Sequence, residues 1–207
     1  MAIDTIPPRP TSQPIRRKTP QAPRKSPRKR AATAARKVQK NPVRPPRKNL
    51  RQAKLKALLQ RVSKASVTVN QDVIGQIGNG LVILLGVATG DTEQDARYLT
   101  DKIIGLRIFG DSNGKFNLSV SDIWGDLLAV SQFTLLADTK KGRRPSFTDA
   151  APPNEAEVLF DKFVFLLRKS GLKVETGRFQ AHMLVNIQND GPVTIMLDSK
   201  EKFTKIG

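Results

Sequence analysis

Leu127-Leu128-Ala129-Val130-Ser131-Gln132-Phe133-Thr134-Leu135-Leu136 is the stretch on which the architecture turns. Its apolar side chains do not alternate with polar ones, so it reads as a strand covered on both faces. Leu81 to Val87 has the same character and the same reading. Strands of that kind need something packed against them, and two flanking segments carry helix signals. Thr92 is placed as an N-cap, with Glu93 and Asp95 in the first turn and Ala96, Leu99 and Ile103 on one face. Pro152-Pro153-Asn154 opens a second helix, with Leu159, Phe160, Phe163, Leu166 and Leu167 inward and Gly171 closing it.

On either side of these lie shorter strand patterns. Leu58 to Val69 partly alternates through Val62, Ala65, Val67 and Val69. Asn70-Gln71-Asp72 is a turn, Val73 to Ile77 a second strand, and Gly78-Asn79-Gly80 the turn before Leu81. Lys173–Thr176, Leu184–Gln188 and Val193–Leu197 read as three more short strands. The expected fold class is therefore α+β, a mostly antiparallel body with two main helices.

Charge divides the chain sharply. Residues 1–54 hold seventeen Lys or Arg and one acid, a net of +16, with ten of the fourteen prolines. Residues 55–207 hold nineteen bases and seventeen acids, a net of only +2. The expected organisation is a disordered Pro/Lys/Arg-rich extension over 1–54, a folded body over 55–199 and a short tail over 200–207. The extension has too little apolar surface to offset an ordering entropy of about 1–2 kcal/mol per residue. Its cations suit non-specific RNA binding through counterion release. A solubilising extension, an upstream start, or an organelle-import signal are the other readings of it.

Composition removes several chemistries. With no cysteine there is no thiol nucleophile, disulfide or thiolate metal site. His182 is the single histidine, so two-histidine metal sites are excluded. It reads as a structural residue at a strand edge in preference to a general base. No apolar run approaches the roughly 18 residues of a membrane span, and no secretory apolar core is present. The body is expected to be cytoplasmic, with organelle import the lesser reading. Asp91, Glu93, Asp95, Glu155 and Glu157 sit at helix starts and read as caps in preference to a glycosidase-like acid pair. The glycines match neither a dinucleotide fingerprint nor a Walker loop, so no cofactor and no metal are expected.

Three segments are harder to account for as scaffold. Ser131-Gln132-Phe133-Thr134 puts polar groups at the end of an apolar strand, where an unpartnered one costs about 1–3 kcal/mol. Lys141-Gly142-Arg143-Arg144-Pro145-Ser146-Phe147-Thr148 is a basic loop, suited to phosphate or simply solvated. Asn189-Asp190-Gly191-Pro192-Val193-Thr194 places Gly-Pro between two strands, which makes it a turn, an edge, a bend or a cis linkage.

Residues 56–198 resemble D-aminoacyl-tRNA deacylase, once called D-tyrosyl-tRNA deacylase. Ser131-Gln132-Phe133-Thr134-Leu135, Gly142 to Ala151 and Asn189 to Thr194 match its signatures in order, and Lys56 to Val62 resembles its N-terminus. The resemblance implies a barrel-like body and hydrolysis of the ester joining a D-amino acid, or glycine (including glycine mischarged on tRNA-Ala), to the 3′ end of tRNA. It implies a homodimer in which Gly191 and Pro192, joined by a cis bond, reach into the partner's pocket and reject L residues. Ser131, Gln132, Phe133 and Thr134 would form the catalytic segment, through backbone N–H groups and with help from the ribose 2′-hydroxyl. Thr134 is expected to be a hydrogen-bonding group in preference to a nucleophile. Arg61, Asn189 and Thr194 would support the Gly-Pro motif, and Phe179 and Met183 would line the adenosine side or pack in the core. Gln180 and His182 depart from the Gly and acid that many relatives carry. The other function considered is a nucleic-acid binder whose tail does the work and whose body is a dimerisation scaffold.

Overall fold

The structure, a computed structural model, describes residues 55–203, with the side chains described as far as Glu201. The expected extension over 1–54 and residues 204–207 lie outside the described residues. A 3-10 helix over Ser199–Phe203 crosses the boundary expected at residue 199.

Strand β1, Lys56–Val69, is the axis of the sheet. On one edge it pairs antiparallel with β2 (Asp72–Ile77) through its second half and with β3 (Gly80–Gly86) through its first. Asn70 and Gln71, both at positive φ, form the two-residue hairpin between β1 and β2. Next to β3 lie β6 (Asp126–Ser131) and β7 (Val174–Thr176), both parallel. Parallel neighbours need crossover connections. Helix α1 (Glu93–Gly105) supplies the first and α2 (Pro153–Arg168) the second. The first crossover also contains a small hairpin of β4 (Phe109–Gly110) and β5 (Phe116–Leu118). β2 approaches β6 and β7, which curls the sheet into a nearly closed barrel.

Two apolar layers account for the continuous apolar strands. Leu81, Ile83 and Leu85 of β3 and Leu127 and Ala129 of β6 face the helices, packed with Leu99, Ile103, Phe160, Phe163 and Leu167. Val82, Leu128 and Val130 face the other way, into a second cluster with Val62, Ala65, Val67 and Ile77. Both faces are buried, as the apolar runs imply. α1 is held at its start by Asp95, whose Oδ2 accepts from the Thr92 N–H (2.9 Å) and hydroxyl (2.8 Å). Asp91 accepts from the Ala88 N–H at 2.7 Å, and Glu93 is ion-paired to Arg97 and Lys162. Of these acids Asp95 caps the helix, while Asp91 closes the turn before it and Glu93 pairs with neighbouring cations.

Two element boundaries differ from expectation. The strand expected over Leu127 to Leu136 stops at Ser131, and residues Phe133–Leu136 form a 3-10 helix. The β3 partner has run out, since its last pair is Leu85 with Ser131. The chain then turns and buries Leu136 instead of extending. Likewise Leu184–Gln188 and Val193–Leu197 are halves of one strand, β8, Leu184–Asp198. β1 is long enough to pair with both halves, and its register slips between Gln60 and Lys64 absorb the residues between them. Leu159, expected inward, is only half-buried. Among the described residues no helix is long and apolar enough to cross a membrane, and no group of three potential ligand side chains could hold a metal.

Candidate active site

The turn after β6 opens a cleft of about 670 Å³. Ser131, Gln132 and Phe133 form one wall, and Phe179 and Met183 another. Gln132 is fixed at both ends: its N–H donates to the Leu85 carbonyl at 2.7 Å, and its side-chain amide donates to the Thr134 hydroxyl. Thr134 itself is exposed and stands beside the cleft, not in its lining. The N–H groups of Phe133 and Thr134 lie in the first turn of the 3-10 helix, where a helix offers no carbonyl partner. Neither donates to a described backbone carbonyl. Two adjacent donors beside a cleft suit a developing oxyanion. No carboxylate or imidazole is hydrogen-bonded to Thr134 among the described residues, so its hydroxyl has no base to activate it.

Phe133 is 55% exposed, and its ring meets that of Phe147 edge-on at 5.0 Å. Phe147, Ala150, Ala151, Pro153 and Ala156 complete an apolar wall that sequence reasoning left unassigned. Phe147 could have been found, because it sits in the basic segment that stood out. Phe179 was expected to line the adenosine side or to pack in the core, and the packing is met. It lines the cleft and also packs on the helix-side core, 6.2 Å from Phe160. Met183 does the same against the second cluster. Its sulfur lies 2.6 Å from where a Cβ on residue 177 would stand, so a side chain there would have to displace the Met183 side chain. Gln180 adopts φ +58 in the cleft wall, and exposed His182 lines the same wall. The histidine therefore lines the cleft; its neighbours had suggested a strand edge, and the resemblance the edge of the adenosine side.

The remaining expected site residues gather elsewhere. The Gly191–Pro192 bond is cis, and both residues are exposed. Asn189 closes the loop: its Oδ1 accepts from the Val193 N–H at 3.0 Å, and its amide donates to the Val193 carbonyl at 3.2 Å and to the Thr194 hydroxyl at 3.3 Å. Thr194 also accepts from Gln60 at 3.4 Å. Arg61 braces the loop from beneath, its side chain only 12% exposed. Its Nε donates to the Asp190 carbonyl (3.2 Å) and lies 3.2 Å from the Asp190 carboxylate, while Nη1 donates to Ile108 O at 2.7 Å. The guanidinium carbon lies 5.9 Å from the ring centre of Phe109 and 5.3 Å from that of Phe116. Gly191 sits at φ +120, and a Cβ there would lie 2.8 Å from Val193 Cγ2 and 3.0 Å from Arg61 Nη2. Only glycine fits. The hairpin that carries the two rings is itself organised by Asp111. Hydrogen bonds from Asn117 and from the Lys115 and Asn113 N–H groups hold its carboxyl below the ordinary aspartate value.

The expected residues therefore fall into two groups within one chain. Ser131, Gln132, Phe133, Phe179 and Met183 share the cleft, with Thr134 at its edge. Arg61, Asn189, Gly191, Pro192 and Thr194 form a braced, exposed loop that does not line it.

The family model described as D-Tyr-tRNA(Tyr) deacylase matches residues 58–198. A D-aminoacyl-tRNA deacylase of Dehalococcoides mccartyi is 59% identical over 148 residues, covering 72% of this chain and 97% of that protein. One of Thermotoga petrophila is 56% identical over 149 residues, covering 72% of this chain and all of that protein. A solved structure described as c-Myc DNA Unwinding Element Binding Protein superposes with a TM-score of 0.66 at 44% identity, over 69% of this chain and 97% of that one. A probable eukaryotic D-amino acid tRNA deacylase shares the fold, with a TM-score of 0.64 at 18% identity over 70% of this chain and 98% of that one. By the extent of the family match and the identity to its curated relatives, the chain belongs to the D-Tyr-tRNA(Tyr) deacylase family.

Proposed function

We infer that the chain is a hydrolase that cleaves the ester joining a D-amino acid to the 3′-terminal adenosine of tRNA, and that it works as a homodimer. The observation that carries the dimeric reading is the separation just described. A loop held by so many bonds presents its main chain to solvent, while the cleft of the same chain is open and lacks it. β8 adds support, since it pairs only with β1 among the described residues and exposes Leu184 (61%) and Met196 (48%). A second copy would bring its loop to the first copy's cleft and cover this strand.

In that arrangement the carbonyls of Gly191 and Pro192 accept from the substrate ammonium and occupy the space an L side chain needs. Discrimination is by exclusion. Glycine has no side chain to exclude, so glycyl-tRNA, including tRNA-Ala mischarged with glycine, is also hydrolysed. The adenine lies on the Phe179 and Met183 side, where an aromatic face can stack on a base. Water adds to the ester carbonyl carbon with help from the ribose 2′-hydroxyl. The oxyanion receives the Phe133 and Thr134 N–H groups, donors worth about 3–4 kcal/mol each at such positions. The bond to the 3′-oxygen then breaks and that oxygen takes up the proton, which frees the amino acid and the tRNA. Thr134 contributes a hydrogen bond, and the body acts in the cytoplasm.

Incubation with D- and L-tyrosyl-tRNA tests the reading: D-tyrosine is released and L-tyrosine is retained. Equal hydrolysis of both, or of neither, overturns it. A second reading, a nucleic-acid binder with the body as dimerisation scaffold, draws on the description of one matched structure as a DNA unwinding element binding protein. Removing residues 1–54 separates the two. The deacylase keeps its turnover and loses only salt-sensitive RNA affinity, whereas the binder loses all function.

A further inference from the structure

Four cations, Lys140, Lys141, Arg143 and Arg144, stand in one exposed loop beside the cleft. The loop has a fixed base. Asp138 and Ser146 exchange backbone hydrogen bonds of 2.7 and 2.9 Å, and Asp138 Oδ1 accepts from the Lys140 N–H at 2.9 Å. One residue beyond that base, Phe147 enters the cleft wall and meets Phe133. Arg144 is three residues from Phe147, at most about 11 Å of chain. No ion pair joins any of the four to a described carboxylate. In a body whose net charge is only +2, that is a local concentration of cations unpaired by any described carboxylate, a few residues of chain from the cleft wall. Exposed cations beside an apolar, aromatic-walled cleft are the arrangement that takes a base on the aromatic side and the backbone on the basic side.

We propose that the Lys140–Arg144 loop is the seat for the phosphodiester groups of the nucleotides that precede the terminal adenosine. The proposal rests on the deacylase reading for its substrate, and it locates the part of that substrate which the cleft leaves outside. The loop supplies affinity for the strand without reading sequence, since phosphate contacts carry no base information.

Two measurements on the full-length protein test it, with K140A/K141A/R143A/R144A as the variant and K140R/K141R/R143K/R144K as the charge-retaining control. The first is affinity for uncharged tRNA as a function of salt. Each lost phosphate contact flattens the log–log slope by about 0.7 for a single strand, so the neutral variant is shallower by about two to three. The seventeen cations of residues 1–54 contribute equally to all three proteins and drop out of the difference. The second is the quotient of kcat/KM on D-tyrosyl-tRNA over kcat/KM on D-tyrosyl-adenosine, which has no phosphate. The quotient falls at least tenfold in the neutral variant and is restored in the control. An unchanged slope and quotient overturn the seat. So does a weakened grip on heparin with an unchanged quotient, which would make the loop a general anion patch. A wild-type protein that hydrolyses neither substrate overturns the deacylase reading instead, and the tRNA slope still decides the loop: shallower in the neutral variant supports the seat, unchanged overturns it.

Discussion

The cleft and the Gly-Pro loop solve opposite problems. The cleft is shaped by burial. Its walls are the ends of strands and helices whose other residues form the core, and Phe179 and Met183 are shared between core and cavity. The loop is exposed and cannot be held by burial, so polar contacts from side chain to backbone fix it: Asn189 to Val193, and Arg61 to Asp190 and Ile108. Position at the surface can be as well determined as position in a core, provided each bond has a partner already immobilised. Arg61 meets that condition because it lies against Phe109 and Phe116 and donates to the Ile108 carbonyl.

Four experiments bear on this contrast. Gly191→Ala strikes the loop where neither space nor φ allows a side chain. Hydrolysis of D-tyrosyl-tRNA is expected to fall by more than about a hundredfold in kcat/KM, the scale on which misplacement of a positioning group by about 1 Å acts. Circular dichroism should stay native because the residue is exposed. Wild-type turnover would show that the loop does not position substrate. Arg61→Ala removes the brace and leaves the loop backbone intact. We expect a drop of about ten- to a hundredfold in D-over-L discrimination together with a lower Tm, and no rescue by Arg61→Lys, which cannot form the same fork. Thr134→Ala probes the cleft side. Its expected effect is a fall of up to about tenfold in kcat, the worth of one hydrogen bond at about 1 kcal/mol or slightly more. Complete loss with the fold intact would instead assign the hydroxyl a covalent role.

The smallest effect is in acid. Asp111 is held below the ordinary aspartate value of 3.8, chiefly by Asn117 and then by the Lys115 and Asn113 N–H groups. A depressed folded value means that its contribution to stability is complete above 3.8 and is lost as pH falls below it, while the folded carboxylate takes up its proton. Amide protection over residues 109–118, taken relative to the intrinsic exchange rate at each pH, should therefore fall only below that pH. Loss of protection nearer neutrality would assign the hairpin's order to something else.

What the residues disclosed in advance follows from the range of the forces involved. Leu81–Val87 was legible because burial on both faces leaves an unbroken apolar run. The overrun past Ser131 came from the same rule, since Leu135 and Leu136 are apolar too and nothing local says that the β3 partner has ended. β8 was read as two strands because Gly191 and Pro192 interrupt the pattern, whereas continuity depends on β1, more than a hundred residues away. The expected site residues, and their division between a pocket and a loop that reaches into the partner's, came through a resemblance and from no local pattern. That division depends on which side of the sheet each segment leaves. The contact of Phe109 and Phe116 with Arg61 was invisible for a related reason: the hairpin carries no chemistry of its own and gains a role only through contacts made across about fifty residues of chain.

The exposed face of the Asn189–Thr194 loop has a consequence for how such a protein can drift. What Gly191 and Pro192 offer is peptide oxygen, an atom every amino acid carries alike. Swapping side chains on the tip leaves that pair of oxygens chemically unchanged and can only shift or spoil their placement. Retuning therefore has to come from underneath, at Arg61, Asn189 or the two phenylalanines, where one replacement would tilt the whole tip at once.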